Sequence, residues 1–195
     1  MLHKFYPIVP DAAWAARIVP LGVKTIQLRV KDADEARVEQ EIGAALTLCR
    51  AHDCQLIVND YWRQAIDLGA DFVHLGQEDL ADADLAAIRR AGIRLGISTH
   101  THEELQIALD AEPDYVALGP IYETKLKVMK YAPQGLDRIG EWKRRIACPL
   151  VAIGGITLER APAVLAAGAD SIAVVTDVIV HPDPEQRVRD WLAVL

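Results

Sequence analysis

The stretch Thr25-Ile-Gln-Leu-Arg-Val-Lys-Asp32 alternates cleanly, with Ile26, Leu28 and Val30 on one face and Gln27, Arg29 and Lys31 on the other. A period of two marks a β-strand. A strand of a parallel sheet is covered on both faces and reads as a near-continuous apolar run. A buried row of amide, guanidinium and ammonium therefore needs a partner to offset its lost hydration. The polar residues crowd toward the strand's far end, where an anionic ligand would be such a partner.

Outward from this strand the pattern repeats. Short apolar, β-branched runs alternate with longer segments of helical period. They predict eight strands, Phe5–Val9, Thr25–Arg29, Gln55–Asn59, Phe72–Leu75, Arg94–Ser98, Tyr115–Leu118, Leu150–Ile153 and Ser171–Val175. The helices predicted to follow are Ala12–Val19, Asp34–His52, Tyr61–Leu68, Ala83–Ala91, His102–Ala111, Asp137–Ile146, Leu158–Ala167 and Glu185–Leu195. Gly22, Gly69, Gly92 and Gly168 each follow a helical stretch, where a left-handed residue ends a helix at least cost. Eight βα units in succession predict a single α/β domain over residues 1–195, a closed parallel (β/α)8 or TIM barrel. The chain is shorter than the ~250 residues typical of that fold, so its connections must be trim. One is not. Residues 119–136 form an eighteen-residue connection, against the usual two to about six, and long loops in compact domains tend to be functional.

Composition narrows the setting. The 195 residues are 51% hydrophobic and 25% charged, which suits one domain with a core of its own. A formal net charge of -7 without a basic block argues against nucleic acid as a partner. No stretch approaches the ~20 apolar residues of a membrane span, and the first residues lack a signal-peptide pattern. Cys49, Cys54 and Cys148 are odd in number and lack zinc-site or disulfide-framework spacing. These features predict a soluble cytoplasmic protein; a homodimer is allowed by the sequence but not specified by it. Trp14, Trp62, Trp142 and Trp191 fall on predicted helices and read as packing residues.

In such a barrel the active site lies where the strands end, so the residues there were read for chemistry. The second strand offers Gln27, Arg29 and Lys31, the third ends in Asn59-Asp60, and the fourth runs into His74-Leu-Gly-Gln77-Glu78-Asp79. The fifth ends Ser98-Thr-His100-Thr-His102. The long loop carries Thr124, Lys125, Lys127 and Lys130, and its three lysines against Glu123 give a local charge of +2 within an acidic chain. Gly154-Gly155 follow the seventh strand and Val175-Thr176 close the eighth. Glycines let backbone N–H groups approach a phosphate, and the loops after strands seven and eight are the usual phosphate site of this fold. Each element also has a plainer reading. The polar face of the second strand could be solvated if that strand lay at an edge, but a closed barrel has none. Asn59-Asp60 could cap a helix, Asp79 could belong to a turn, Gly154-Gly155 could ease a strand-to-helix turn, and the two loop histidines read as loop or cap residues. Taken together, two carboxylates at neighbouring strand ends suit Mg2+, which is commonly held by one or two carboxylates with substrate phosphates and water completing its shell.

The motifs Gln27-Leu-Arg29-Val-Lys31, Val58-Asn59-Asp60, His74-Leu-Gly76-Gln77-Glu78-Asp79, Gly96-Ile-Ser98-Thr-His100, Gly119-Pro120-Ile, Gly154-Gly155-Ile and Ala173-Val-Val-Thr176 occur in this order over nearly the whole chain. In this they closely resemble the thiamine-phosphate synthase family. The resemblance implies a (β/α)8 barrel and a magnesium-dependent transferase. Its small-molecule substrates would be 4-amino-2-methyl-5-hydroxymethylpyrimidine diphosphate and 4-methyl-5-hydroxyethylthiazole phosphate, which it joins to give thiamine phosphate and diphosphate. By position it implies that Asp60 and Asp79 hold Mg2+, and that Gln27, Arg29, Lys31, Asn59, Ser98 and Lys127 bind the pyrimidine diphosphate. Among these, Arg29, Lys31, Ser98 and Lys127 would assist its departure. Thr124, Gly155, Val175 and Thr176 would hold the thiazole phosphate.

Two positions depart from the family pattern. The usual Pro-Thr-x-Thr-Lys reads Glu123-Thr124-Lys125-Leu126-Lys127, so Leu126 removes one hydroxyl. Asp177 stands where a small neutral residue is usual, and beside a phosphate its charge is expected to repel unless it turns away. These changes place the expected deviation in thiazole-phosphate binding. Two other readings are a thiazole tautomerase, which shares the barrel and a Glu-Thr pair but has no use for paired acids, and a non-catalytic barrel that binds a phosphate ligand.

Overall fold

The computed structural model describes residues 2–124 and 131–195. Its strands are β1 (Phe5–Val9), β2 (Thr25–Leu28), β3 (Gln55–Asn59), β4 (Phe72–Leu75), β5 (Arg94–Thr99), β6 (Tyr115–Leu118), β7 (Leu150–Ile153) and β8 (Ser171–Val174). All pair in parallel and in sequence order, and β8 returns to β1 to close the barrel. Each strand lies within a residue of its expected limits. The helices are α1 (Ala12–Ile18), α2 (Glu35–Ala51), α3 (Trp62–Asp67), α4 (Gln77–Asp82), α5 (Leu85–Arg90), α6 (His102–Asp110), α7 (Gly135–Lys143), α8 (Ala161–Ala166), α9 (Thr176–Ile179) and α10 (Pro184–Val194). Among the described residues no helix is long and apolar enough to cross a membrane.

Local chemistry sets many of these boundaries. The carboxylates of Asp11, Asp34, Asp84 and Asp183 accept hydrogen bonds from the backbone N–H three residues on, as does the Thr101 hydroxyl, satisfying donors that the first helical turn leaves open. Gly22, Gly69, Gly92 and Gly168 all take positive φ at the expected helix ends. Three expectations are corrected. The Leu158–Ala167 helix is a 3-10 turn, Leu158–Arg160, followed by α8. The helix predicted from Asp137 begins at Gly135, which shortens the long connection. Two short helices, α4 and α9, occupy stretches read as loops. Asp79 therefore sits in the first turn of α4 and Thr176 opens α9.

The core has two layers. Ile26, Leu28 and Val30 join the larger cluster between sheet and helices, which also includes Trp142 and Trp191 and has Trp14 and Trp62 packed against it. Tyr6, Ile8, Ile57, Phe72, Tyr115, Ala117, Val151 and Ala173 form a second cluster inside the barrel. The apolar face of the second strand meets the helices, as the alternation requires. The expected buried polar row is corrected: β2 ends at Leu28, so Gln27 is buried inside the barrel while Arg29 and Lys31 lie past the strand end and are exposed.

Candidate functional site

A cavity of about 520 Å³ opens at the carboxyl ends of the strands, within the size range of small-molecule sites. Gln27, Arg29, Asn59, Ser98, Thr124, Gly155, Val175 and Thr176 all line it. Lys31, Asp60 and Asp79 form a charged cluster beside it. Lys127, with Lys125, Leu126 and Lys130, lies outside the described residues.

The charged cluster is assembled from three neighbouring βα connections. Asp60 follows β3 in a left-handed conformation, φ 67°, which aspartate tolerates better than most residues. The Lys31 Nζ lies 2.7 Å from its Oδ2. Asp79 is held above the ordinary carboxylate range, first by burial and then by the charge and hydrogen bond of Asp60, with Lys31 opposing. Two carboxyl groups thus share one small space with a single ammonium. That donor set fits a hard divalent cation. Among the described residues no group of three or more His, Cys, Asp or Glu side chains is placed to hold a metal ion. The Arg29 guanidinium, exposed at the mouth, has no ion-pair partner among the described residues.

Below the mouth lies a feature the sequence reading missed. Gln27 Nε2 donates to the Tyr6 hydroxyl at 2.6 Å, and the Tyr6 and Tyr115 hydroxyls lie 2.9 Å apart. The Tyr115 hydroxyl is 2.7 Å from His74 Nδ1, and His74 Nε2 is 2.7 Å from Ser98 Oγ. Burial holds the His74 pKa down at about 4, with Asp60 opposing and Arg29 reinforcing, so the imidazole is neutral at physiological pH. Burial likewise raises the pKa of both tyrosines. The sequence shows only that Tyr6, His74 and Tyr115, like Gln27, bring a polar group into otherwise apolar strands.

The opposite wall is built from backbone. Ile121 N donates to the Ile153 carbonyl and Tyr122 N to that of Gly154, tying the start of the long connection to the end of β7. Gly155 has φ 65°, and a Cβ there would collide with the Glu123 carbonyl oxygen and come within 2.9 Å of Tyr122 Cβ. Only glycine fits without strain. Past the undescribed segment, the Tyr131 hydroxyl donates to Glu104 Oε1 at 2.7 Å, and the Tyr131 ring stacks on His100 at 4.4 Å. His100, which also lines the cavity, is engaged by Glu104, and His102 by Glu141.

Asp177 turns away from the cavity that Thr176 and Ile179 line. Its Oδ2 accepts from Arg187 Nε and Trp191 Nε1, each at 2.8 Å, and from Leu158 N at 3.3 Å, while Oδ1 accepts from Arg187 Nη2 at 2.9 Å. Of the two directions the sequence left open, the side chain takes the one that joins it to Arg187 and Trp191.

Residues 6–178 match the sequence model described as thiamine monophosphate synthase. The thiamine-phosphate synthase of Rhizobium etli is 63% identical over 98% of this chain and 95% of its own. That of Salmonella agona is 50% identical over 97% of this chain and 90% of its own. The structure of a thiamine phosphate pyrophosphorylase from Pyrococcus furiosus superposes with a TM-score of 0.87 at 27% identity, covering 98% of this chain and 94% of that one. A 3-hexulose-6-phosphate synthase at TM-score 0.70 and 16% identity shares the fold.

Proposed function

The chain belongs to the thiamine monophosphate synthase family, and on that premise we propose how its barrel mouth forms thiamine phosphate. The reaction is a group transfer. The carbon–oxygen bond between the pyrimidine methylene and the diphosphate breaks, its electron pair leaving with the diphosphate oxygen. The electron-rich aminopyrimidine stabilises the cation left behind, and the thiazole nitrogen then supplies the pair for the new carbon–nitrogen bond. No general base is needed, because the attacking thiazole nitrogen carries no proton to remove.

In this reading the wall from β2 to β5 takes the pyrimidine diphosphate. Arg29 and Lys31 bind its phosphate oxygens and meet the charge that grows as it leaves, with Lys127 in the same role. Such preorganised donors can each be worth ~10²- to 10³-fold in rate. Asn59 and Ser98 hydrogen-bond the same substrate, and Gln27 meets it from the barrel floor. Asp60 and Asp79 would hold Mg2+, which when bound would neutralise charge on the diphosphate. Thr124, Gly155, Val175 and Thr176 receive the thiazole phosphate on the facing wall through hydroxyl and backbone N–H groups. Holding two substrates in line across one cavity supplies much of the remaining acceleration. The three free cysteines suit a cytoplasmic setting.

The observation that carries this reading is the pairing of Asp60 with Asp79 beside Lys31. Isomerising a thiazole has no use for it. The test mixes the purified protein with both substrates and Mg2+ and measures thiamine phosphate and diphosphate. Equal amounts of both are expected; binding of the thiazole phosphate with no product would leave only a ligand-binding barrel.

A further inference from the structure

We propose that Tyr115 is a positioning residue: by joining Tyr6 to His74 it sets the direction of one hydrogen-bond chain across the barrel interior, which orients Gln27 and Ser98 for the pyrimidine substrate. The inference rests on the functional reading above for its kinetic part and stands without it for its structural part.

The direction follows from counting protons. Tyr6, Gln27, Tyr115 and His74 are 1%, 3%, 0% and 7% exposed, so their polar atoms are met by one another or by what enters the cavity they line. Gln27 gives an amide proton to the Tyr6 hydroxyl. Tyr6 has one proton of its own, and the acceptor within reach is the Tyr115 hydroxyl. Tyr115 in turn passes its proton to His74 Nδ1. A neutral imidazole that accepts at Nδ1 carries its proton on Nε2, and that proton goes to Ser98 Oγ. The Ser98 hydroxyl is left free to donate into the cavity. At the other end, no donor among the described residues is bonded to Gln27 Oε1. The chain thus presents an acceptor at Gln27 and a donor at Ser98, both on the cavity wall.

The backbone is arranged for this contact. In the sheet register Gly96 on β5 lies between His74 on β4 and Tyr115 on β6. A Cβ on Gly96 would overlap the Tyr115 ring. Because that position carries no side chain, the tyrosine leans across the intervening strand and its hydroxyl reaches the histidine two strands away. Such barrels are ordinarily filled with branched apolar side chains. A polar chain resting on a glycine gap is a costly way to fill space and a suitable way to aim two hydrogen-bonding groups.

The test has two arms. In the first, the intact ligand-free chain is labelled with ¹⁵N-histidine, and the tautomer of His74 is read from its two ring-nitrogen shifts, assigned by their loss in His74→Asn. A neutral ring protonated on Nε2 is expected; protonation on Nδ1 would mean that the chain runs the other way and would overturn the proposal. In the second, Tyr115→Phe is compared with wild type in steady-state turnover, with thermal unfolding as a check on folding. The KM for the pyrimidine diphosphate should rise about tenfold, the loss of roughly one hydrogen bond's worth of positioning, while that for the thiazole phosphate stays within about twofold. Unchanged values for both substrates, or equal losses for both, would refute the positioning role. If Tyr115→Phe does not fold, Tyr6→Phe breaks the neighbouring link and must show the same split. A wild-type protein that forms no thiamine phosphate refutes the functional reading alone, and the tautomer then decides the direction of the chain.

Discussion

The two walls of the cavity are made in different ways. From β2 to β5 the wall is built of side chains, with Gln27, Asn59, His74 and Ser98 on or under it and the Lys31–Asp60–Asp79 cluster beside it. From β6 to β8 it is built of chain path: Gly155 at positive φ, the ties of Ile121 and Tyr122 to the end of β7, and Val175-Thr176 at the break between β8 and α9. The first wall is specified by which groups it carries, and so responds to a change of charge. The second is specified by how closely strands and loops approach, and so responds to added volume.

The largest effect should come from removing charge on the first wall. Asp60→Asn keeps a residue suited to the left-handed backbone but leaves Asp79 alone to hold a cation and frees Lys31. Turnover should fall by at least about 100-fold, with the circular dichroism and melting profile close to wild type. Activity within a few-fold of wild type would remove Asp60 from the diphosphate wall and with it the contrast drawn here.

Adding one methyl group to the second wall should matter next. In Gly155→Ala the backbone must leave φ 65° or push aside the Glu123 carbonyl, a strain of about 1–3 kcal/mol. The KM for the thiazole phosphate should rise about tenfold or more while that for the pyrimidine diphosphate holds within about twofold. Loss of both affinities together would show that the walls are mechanically one unit.

The same contrast explains what could be read from the sequence. The barrel was legible because each strand is a compact apolar run between helical segments, and strand limits came within a residue. Arg29, Lys31 and Asp60 stood out because charge at a strand end has few structural uses, and the structure places Arg29 on the cavity wall and pairs Lys31 with Asp60. The short helices α4 and α9 were not legible, since each begins within two residues of a strand end, where the sequence reads as a loop. Tyr6 and Tyr115 were passed over because an aromatic residue in a strand is ordinary packing; only the closed register brings their hydroxyls together beneath Gln27. Asp177 could be read only halfway. Its position beside Thr176 left the direction of its side chain open, and that direction is set by Arg187 and Trp191, ten and fourteen residues later on α10.

Asp177 also supplies the smallest expected effect on catalysis. Its side chain and that of Arg187 are 10% and 12% exposed, and their ion pair is backed by the Trp191 indole and the Leu158 amide. In Asp177→Asn one oxygen becomes an NH2 facing groups that are all donors, and the guanidinium loses one of its two acidic partners, though Glu159 still holds Nη2 at 2.9 Å. A loss of about 2–3 kcal/mol is expected for a mostly buried pair that keeps one acidic partner, which corresponds to a fall in Tm of roughly 5–10 °C for a chain of this size. The KM for the thiazole phosphate should nevertheless stay within about twofold, because the carboxylate points at α10 and not at the cavity. A severalfold tighter KM in the variant, with Tm unchanged, would mean that its charge does reach the phosphate. The second wall would then be governed by charge as well as by chain path.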